Sequence, residues 1–129
     1  MTLNELAAEV NQTAHTKGWY LNTNRTFGDV IALVHSELSE ALEEYRNGRK
    51  LGLLYAGDKV FGNDKDDVAV LETLAANGVK PEGVAIELID VIIRVLDTMH
   101  EVGIDIDGAM RVKMAYNETR PYKHGGKII

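Results

Sequence analysis

VAIELIDVIIRVLDTM, residues 84–99, is the stretch whose reading decides the fold of this chain. Its Val and Ile content would suit a strand, but the segment between Pro81 and Gly103 runs to about 22 residues, far longer than an ordinary strand. Pro81 fits the first turn of a helix, and Gly103 fits the position just past its end. The spacing predicts a helix that is apolar on nearly every side, as in a helix buried in a bundle or shared between subunits. Two acids interrupt it. Glu87 and Asp90 stand three residues apart, on one helical face, with Ile86, Leu88, Ile89 and Val91 around them.

An uncompensated carboxylate in such surroundings costs several kcal/mol or stays protonated. The plain explanation is Arg94, four residues after Asp90 and placed for a salt bridge along the helix. The other is a divalent cation. HSELSEALEEYR, residues 35–46, strengthens the second explanation, because Glu37 and Glu40 form another pair at the same spacing. Taken alone that pair would suit a solvated helix face, as would Glu43 and Glu44 beside it. If the two helices pack antiparallel, both pairs lie near mid-bundle and converge on four carboxylates. Such a cluster repels itself unless metal is bound. No histidine follows a glutamate by three residues and no cysteine exists, so oxygen ligation favours Mg²⁺ or Mn²⁺ over iron or zinc.

Working outward, Thr2 and Glu5 form a capping-box pattern that opens a first helix over about residues 3–17, stopped by Gly18. A loop over 18–26 carries Trp19 and Tyr20. A second helix spans about 27–47. Residues 49–80 read as an insertion without a sustained period, holding one short helix over 64–76. Its Asp64, Asp66 and Asp67 suit a helix amino end and lack the ligand pattern of a calcium loop. A last helix begins near Asp105 or Asp107 and ends near Arg120, before a tail over 121–129. The expected fold is therefore an all-α antiparallel bundle of four main helices, with a short helical insertion between the second and third. The 129 residues suit one domain.

The last helix sets Lys113, Asn117 and Arg120 on one face. Two cations and an amide in a row suit phosphate oxygens, although an exposed stripe would look the same. The net charge of −6 and the absence of a basic stripe argue against polymeric nucleic acid. No apolar run reaches membrane-spanning length and the amino end lacks signal-peptide character, so a cytoplasmic location is expected.

HSELSEALEEY, then ELIDVIIRVLD, then IDGAMRVKMAYNETRPY together resemble the MazG-like, all-α nucleoside triphosphate pyrophosphohydrolase superfamily. The resemblance covers the second, third and fourth main helices. It implies Mg²⁺ binding by Glu37, Glu40, Glu87 and Asp90, and phosphate contacts from Lys113, Asn117 and Arg120. It also implies hydrolysis of a nucleoside triphosphate to the monophosphate and pyrophosphate in a homodimer or homotetramer, and Glu37 or Glu40 is the acid expected to orient the water as base. About 46 residues separate Glu40 from Glu87, more than in compact members, which leaves the substrate and oligomer open. dUTP and phosphoribosyl-ATP are the enzymatic alternatives, and a noncatalytic helical oligomer or regulatory module is the other. Trp19, Tyr20, His15 and His35 are candidates for holding a base, Trp19 by stacking, although a lone Trp after a helix also suits a core or interface plug and His15 suits the last turn of its helix as a cation. The ending HGGK would let backbone amides approach phosphate.

Overall fold

The computed structural model describes residues 1–122, so the HGGK ending at 124–127 lies outside them. Among the described residues the chain forms α1 (Leu3–Thr16), α2 (Phe27–Arg46), β1 (Leu54–Ala56), β2 (Lys59–Phe61), α3 (Lys65–Ala76), α4 (Val84–Glu101) and α5 (Ile106–Thr119). The architecture is mostly helical, as expected. None of these helices is long and apolar enough to cross a membrane.

Two compact units make up the described residues, one from residues 24–95 and the other from residues 1–23 with 96–122. In the second, α1 and α5 cap one another. The Asp107 carboxylate accepts from the backbone of Leu3 at 3.0 Å and of Asn4 at 3.1 Å, filling donors that the first turn of α1 leaves open. In return the Asn4 carbonyl oxygen accepts from Ile106 N at 2.7 Å, and its amide donates to Asp105 at 2.8 Å. Thr2 and Glu5 complete the capping box anticipated from their spacing. Behind these caps lies a small apolar core of Ala7, Leu96 and Ile106, with Leu3, Leu6 and Met99 against it.

The unit of residues 24–95 is built on α2, the insertion and most of α4. Thr26 opens α2 through a capping box with Asp29, whose carboxyl is held below the usual carboxylate range chiefly by the Thr26 backbone N–H. The insertion contains more order than its sequence pattern suggested. β1 and β2 form an antiparallel hairpin, Leu54 opposite Phe61 and Ala56 opposite Lys59, turned at Gly57 and Asp58. Phe61, Ala56 and Leu71 of α3 form its core. Asp64 is the α3 N-cap, Asp66 and Asp67 lie in the first turn, and Asp67 also accepts from Gly62 N at 2.7 Å. The acidic cluster is thus explained by capping.

One expectation needs correcting. Pro81 does not enter the third main helix, which begins at Val84. Glu82 is engaged instead in extended pairing with the hairpin, exchanging backbone hydrogen bonds with Tyr55 at 2.8 and 3.0 Å. Gly83 then turns the chain into α4 at φ +120°, where a Cβ would stand 3.0 Å from the Tyr55 ring. Arg49 braces the same junction, with its guanidinium 4.5 Å from the Tyr55 ring centre and 3.0 Å from Glu82. The hairpin thereby sets where α4 starts, and with it the height of Glu87.

Candidate metal centre

Within residues 24–95, α2 and the body of α4 run antiparallel. Glu37 meets Arg94, while Glu40, one turn further along α2, shares a hydrogen bond with Glu87, nearly two turns earlier on α4. This register brings acids from both helices together. Glu37, Glu87 and Asp90 each offer a carboxylate oxygen, and the three oxygens lie within 4.8 Å of one another. Glu37 is buried, and Glu87 and Asp90 are half-buried. Glu40 is exposed and stands outside that trio, tied to it through Glu87.

The electrostatic cost of the cluster falls mainly on α4. Burial, then the hydrogen bond to Glu40 and the charges of Glu40, Asp90 and Glu37, push the Glu87 carboxyl up to about 7. Asp90 is also raised, by burial and then by Glu37, against the opposing pull of Arg94. Arg94 Nε donates to Glu37 Oε1 at 2.9 Å. Besides its effect on Asp90 along the same helix, Arg94 reaches across to α2. Three close carboxylates and one guanidinium make a site whose possible metal ligands are all carboxylate oxygens. That donor set fits a hard divalent cation.

The remaining expected site residues are placed as follows. Lys113 and Asn117 lie on α5 and Arg120 caps its end. Lys113 and Arg120 hold their cations 5.2 and 5.7 Å from the Tyr116 ring centre, which leaves both charges on the side of the helix that Tyr116 occupies. Trp19 lies in the segment after α1 and is 47% exposed. His35 and Glu43 are exposed on α2, and Glu44 near its end is half-buried, 3.4 Å from Arg49.

His15 and Tyr20 belong to a second polar network. Their rings stack at 4.4 Å, and His15 Nε2 lies 2.7 Å from Glu101. Tyr20 donates to Asp97 at 2.7 Å, and Asn11 donates to both Asp97 and Glu101 at 2.9 and 2.8 Å. Asn11 and Asp97 were not picked out from the sequence. Their signal was available: Glu87, Asp90, Arg94, Asp97 and Glu101 recur along α4 at steps of three and four, so they form one polar seam in an otherwise apolar helix.

The chain matches no protein-family model, no curated protein and no solved structure.

Proposed function

We propose that this protein is a metal-dependent nucleoside triphosphate pyrophosphohydrolase, releasing pyrophosphate and a nucleoside monophosphate, deoxy or ribo. The observation that carries the reading is the approach of Glu37, Glu87 and Asp90 within 4.8 Å, inside a partly desolvated site built only of oxygen donors. Bound there, Mg²⁺, or Mn²⁺ in its place, would neutralise phosphate oxygens and polarise an attacking water. Glu37, Glu87 and Asp90 are the ligands in this reading. Glu40 is the fourth acid: exposed and beside Glu87, it is the group assigned to take the proton of the water. The family resemblance alone assigns phosphate contacts to Lys113, Asn117 and Arg120 and base stacking to Trp19.

The active form is a homodimer or homotetramer working in the cytoplasm. Ile31, Leu38, Leu42 and Tyr45 line one exposed face of α2, and Leu88, Ile92 and Val95 line one of α4. A second copy of the chain would remove both faces from water. The Arg94–Glu37 pair favours one further reading, a noncatalytic helical oligomer or regulatory module, because it supplies part of the counter-charge without metal.

A screen of common ribo- and deoxynucleoside triphosphates, dUTP and phosphoribosyl-ATP included, with Mg²⁺ or Mn²⁺ and pyrophosphate as readout, tests the proposal. Release should drop at least about a hundredfold in Glu87→Gln and Glu40→Gln while the helical circular dichroism is kept. Failure of every nucleotide to yield pyrophosphate would leave the module reading in its place.

A further inference from the structure

We infer that Arg94 is a resident counter-charge of the carboxylate cluster, a positioning residue that holds Glu37 in place without metal and weakens cation binding by its own charge. The inference rests on the metal reading above and adds to it a residue that sets affinity. Its basis is geometric. Arg94 Nε and Glu37 Oε1 lie 2.9 Å apart, and the two side chains are only 21% and 11% exposed. At that burial the pair feels less solvent screening than a surface bridge does. Arg94 also faces Asp90, one turn away on its own helix, and its charge opposes the rise of that carboxyl. One guanidinium therefore serves acids on both helices.

Arg is suited to this task because a guanidinium keeps its charge at any physiological pH. A cation arriving at the cluster meets that charge, which stays and repels it. The long arginine stem lets the head group draw back while remaining close. An arginine that only tied α2 to α4 would stabilise the fold equally with and without metal.

That difference is measurable on the full chain with Mg²⁺ alone as the probe. Arg94→Met should bind Mg²⁺ roughly tenfold more tightly by titration calorimetry, the effect of removing one unit charge a few ångströms away. Its melting temperature should fall in EDTA and recover in Mg²⁺, so that the rise on adding Mg²⁺ exceeds that of the parent chain. Arg94→Lys, which keeps the charge, should stay within about threefold of the parent affinity. Unchanged or weaker Mg²⁺ binding by Arg94→Met, or an equal loss of melting temperature in EDTA and in Mg²⁺, overturns the inference and leaves the metal reading standing. Absence of Mg²⁺ binding by the parent chain overturns both. Arg94→Gln gives the same comparison should the methionine variant not fold.

Discussion

The Tyr20 hydroxyl donates to the buried carboxylate of Asp97 at 2.7 Å, so the residue next to Trp19 is fastened to α4 by a charged hydrogen bond. Asn11 fills the other oxygen of the same carboxylate at 2.9 Å. Because Asp97 is only 7% exposed, its partners have little water to fall back on. Asp97→Ala should cost about 2–4 kcal/mol in urea unfolding, and Tyr20→Phe about 1–2 kcal/mol. In the double variant the two losses should add to less than their sum, since one bond is common to both. Strict additivity would mean that this hydrogen bond contributes nothing.

Glu87 makes stability depend on pH with an uncommon sign for a carboxylate. Its carboxyl titrates at about 7 in the folded chain against 4.5 as the ordinary value, so between those values the folded chain holds the extra proton. Stability should therefore fall as pH rises from about 4.5 and level off above about 7, by about 1–2 kcal/mol once solvent screening is allowed for. Asp90, also raised, adds to the decline with the same sign, while Asp29, Glu101 and Asp105 are shifted downward and lose their contribution only as pH falls. Urea midpoints at pH 5 and pH 8 measure the decline, and Glu87→Gln should reduce it. With saturating Mg²⁺ the decline should disappear, because metal favours the ionised carboxylate.

Gly83→Ala should destabilise the chain by about 2 kcal/mol or more. At φ +120° the backbone suits glycine, and the added methyl would press on Tyr55 at 3.0 Å. Since Glu82 and Gly83 fix where α4 begins, Mg²⁺ affinity should weaken along with stability. A variant with lowered stability and unaltered Mg²⁺ binding would show that the hairpin does not set the height of Glu87.

Leu42→Glu and Ile92→Glu place charges on the exposed apolar faces of α2 and α4. Sedimentation velocity should show a species heavier than the 14.2 kDa chain for the parent and a shift toward that mass for either variant. A parent chain that sediments as a monomer at high micromolar concentration would remove the need for a partner.

The helices were legible because their ends are written locally. Thr2 with Glu5, Asp64 before its helix, and Gly103 after α4 each mark a boundary within a few residues of the sequence. The hairpin was not read, since three-residue strands are too short to show a period. Its Gly57–Asp58 turn, between Leu54–Ala56 and Lys59–Phe61, was the available signal. Spacing placed Glu37 with Glu40 and Glu87 with Asp90 on their faces, but the register between two helices depends on how side chains interdigitate, and single-helix spacing does not encode that. For the same reason spacing offers Arg94 a partner at Asp90 on its own helix but does not show its hydrogen bond across to Glu37.

The reciprocal capping of α1 and α5 carries a consequence for synthesis. Leu3 and Asn4 find their partners about a hundred residues downstream, at Asp105, Ile106 and Asp107. Residues 24–95 are contiguous, and can collapse as soon as they leave the ribosome. The amino-terminal helix must wait, uncapped by its acidic partner, until the segment beyond residue 104 has been made. The order of translation thus assembles the carboxylate cluster before the helices at the two ends have met.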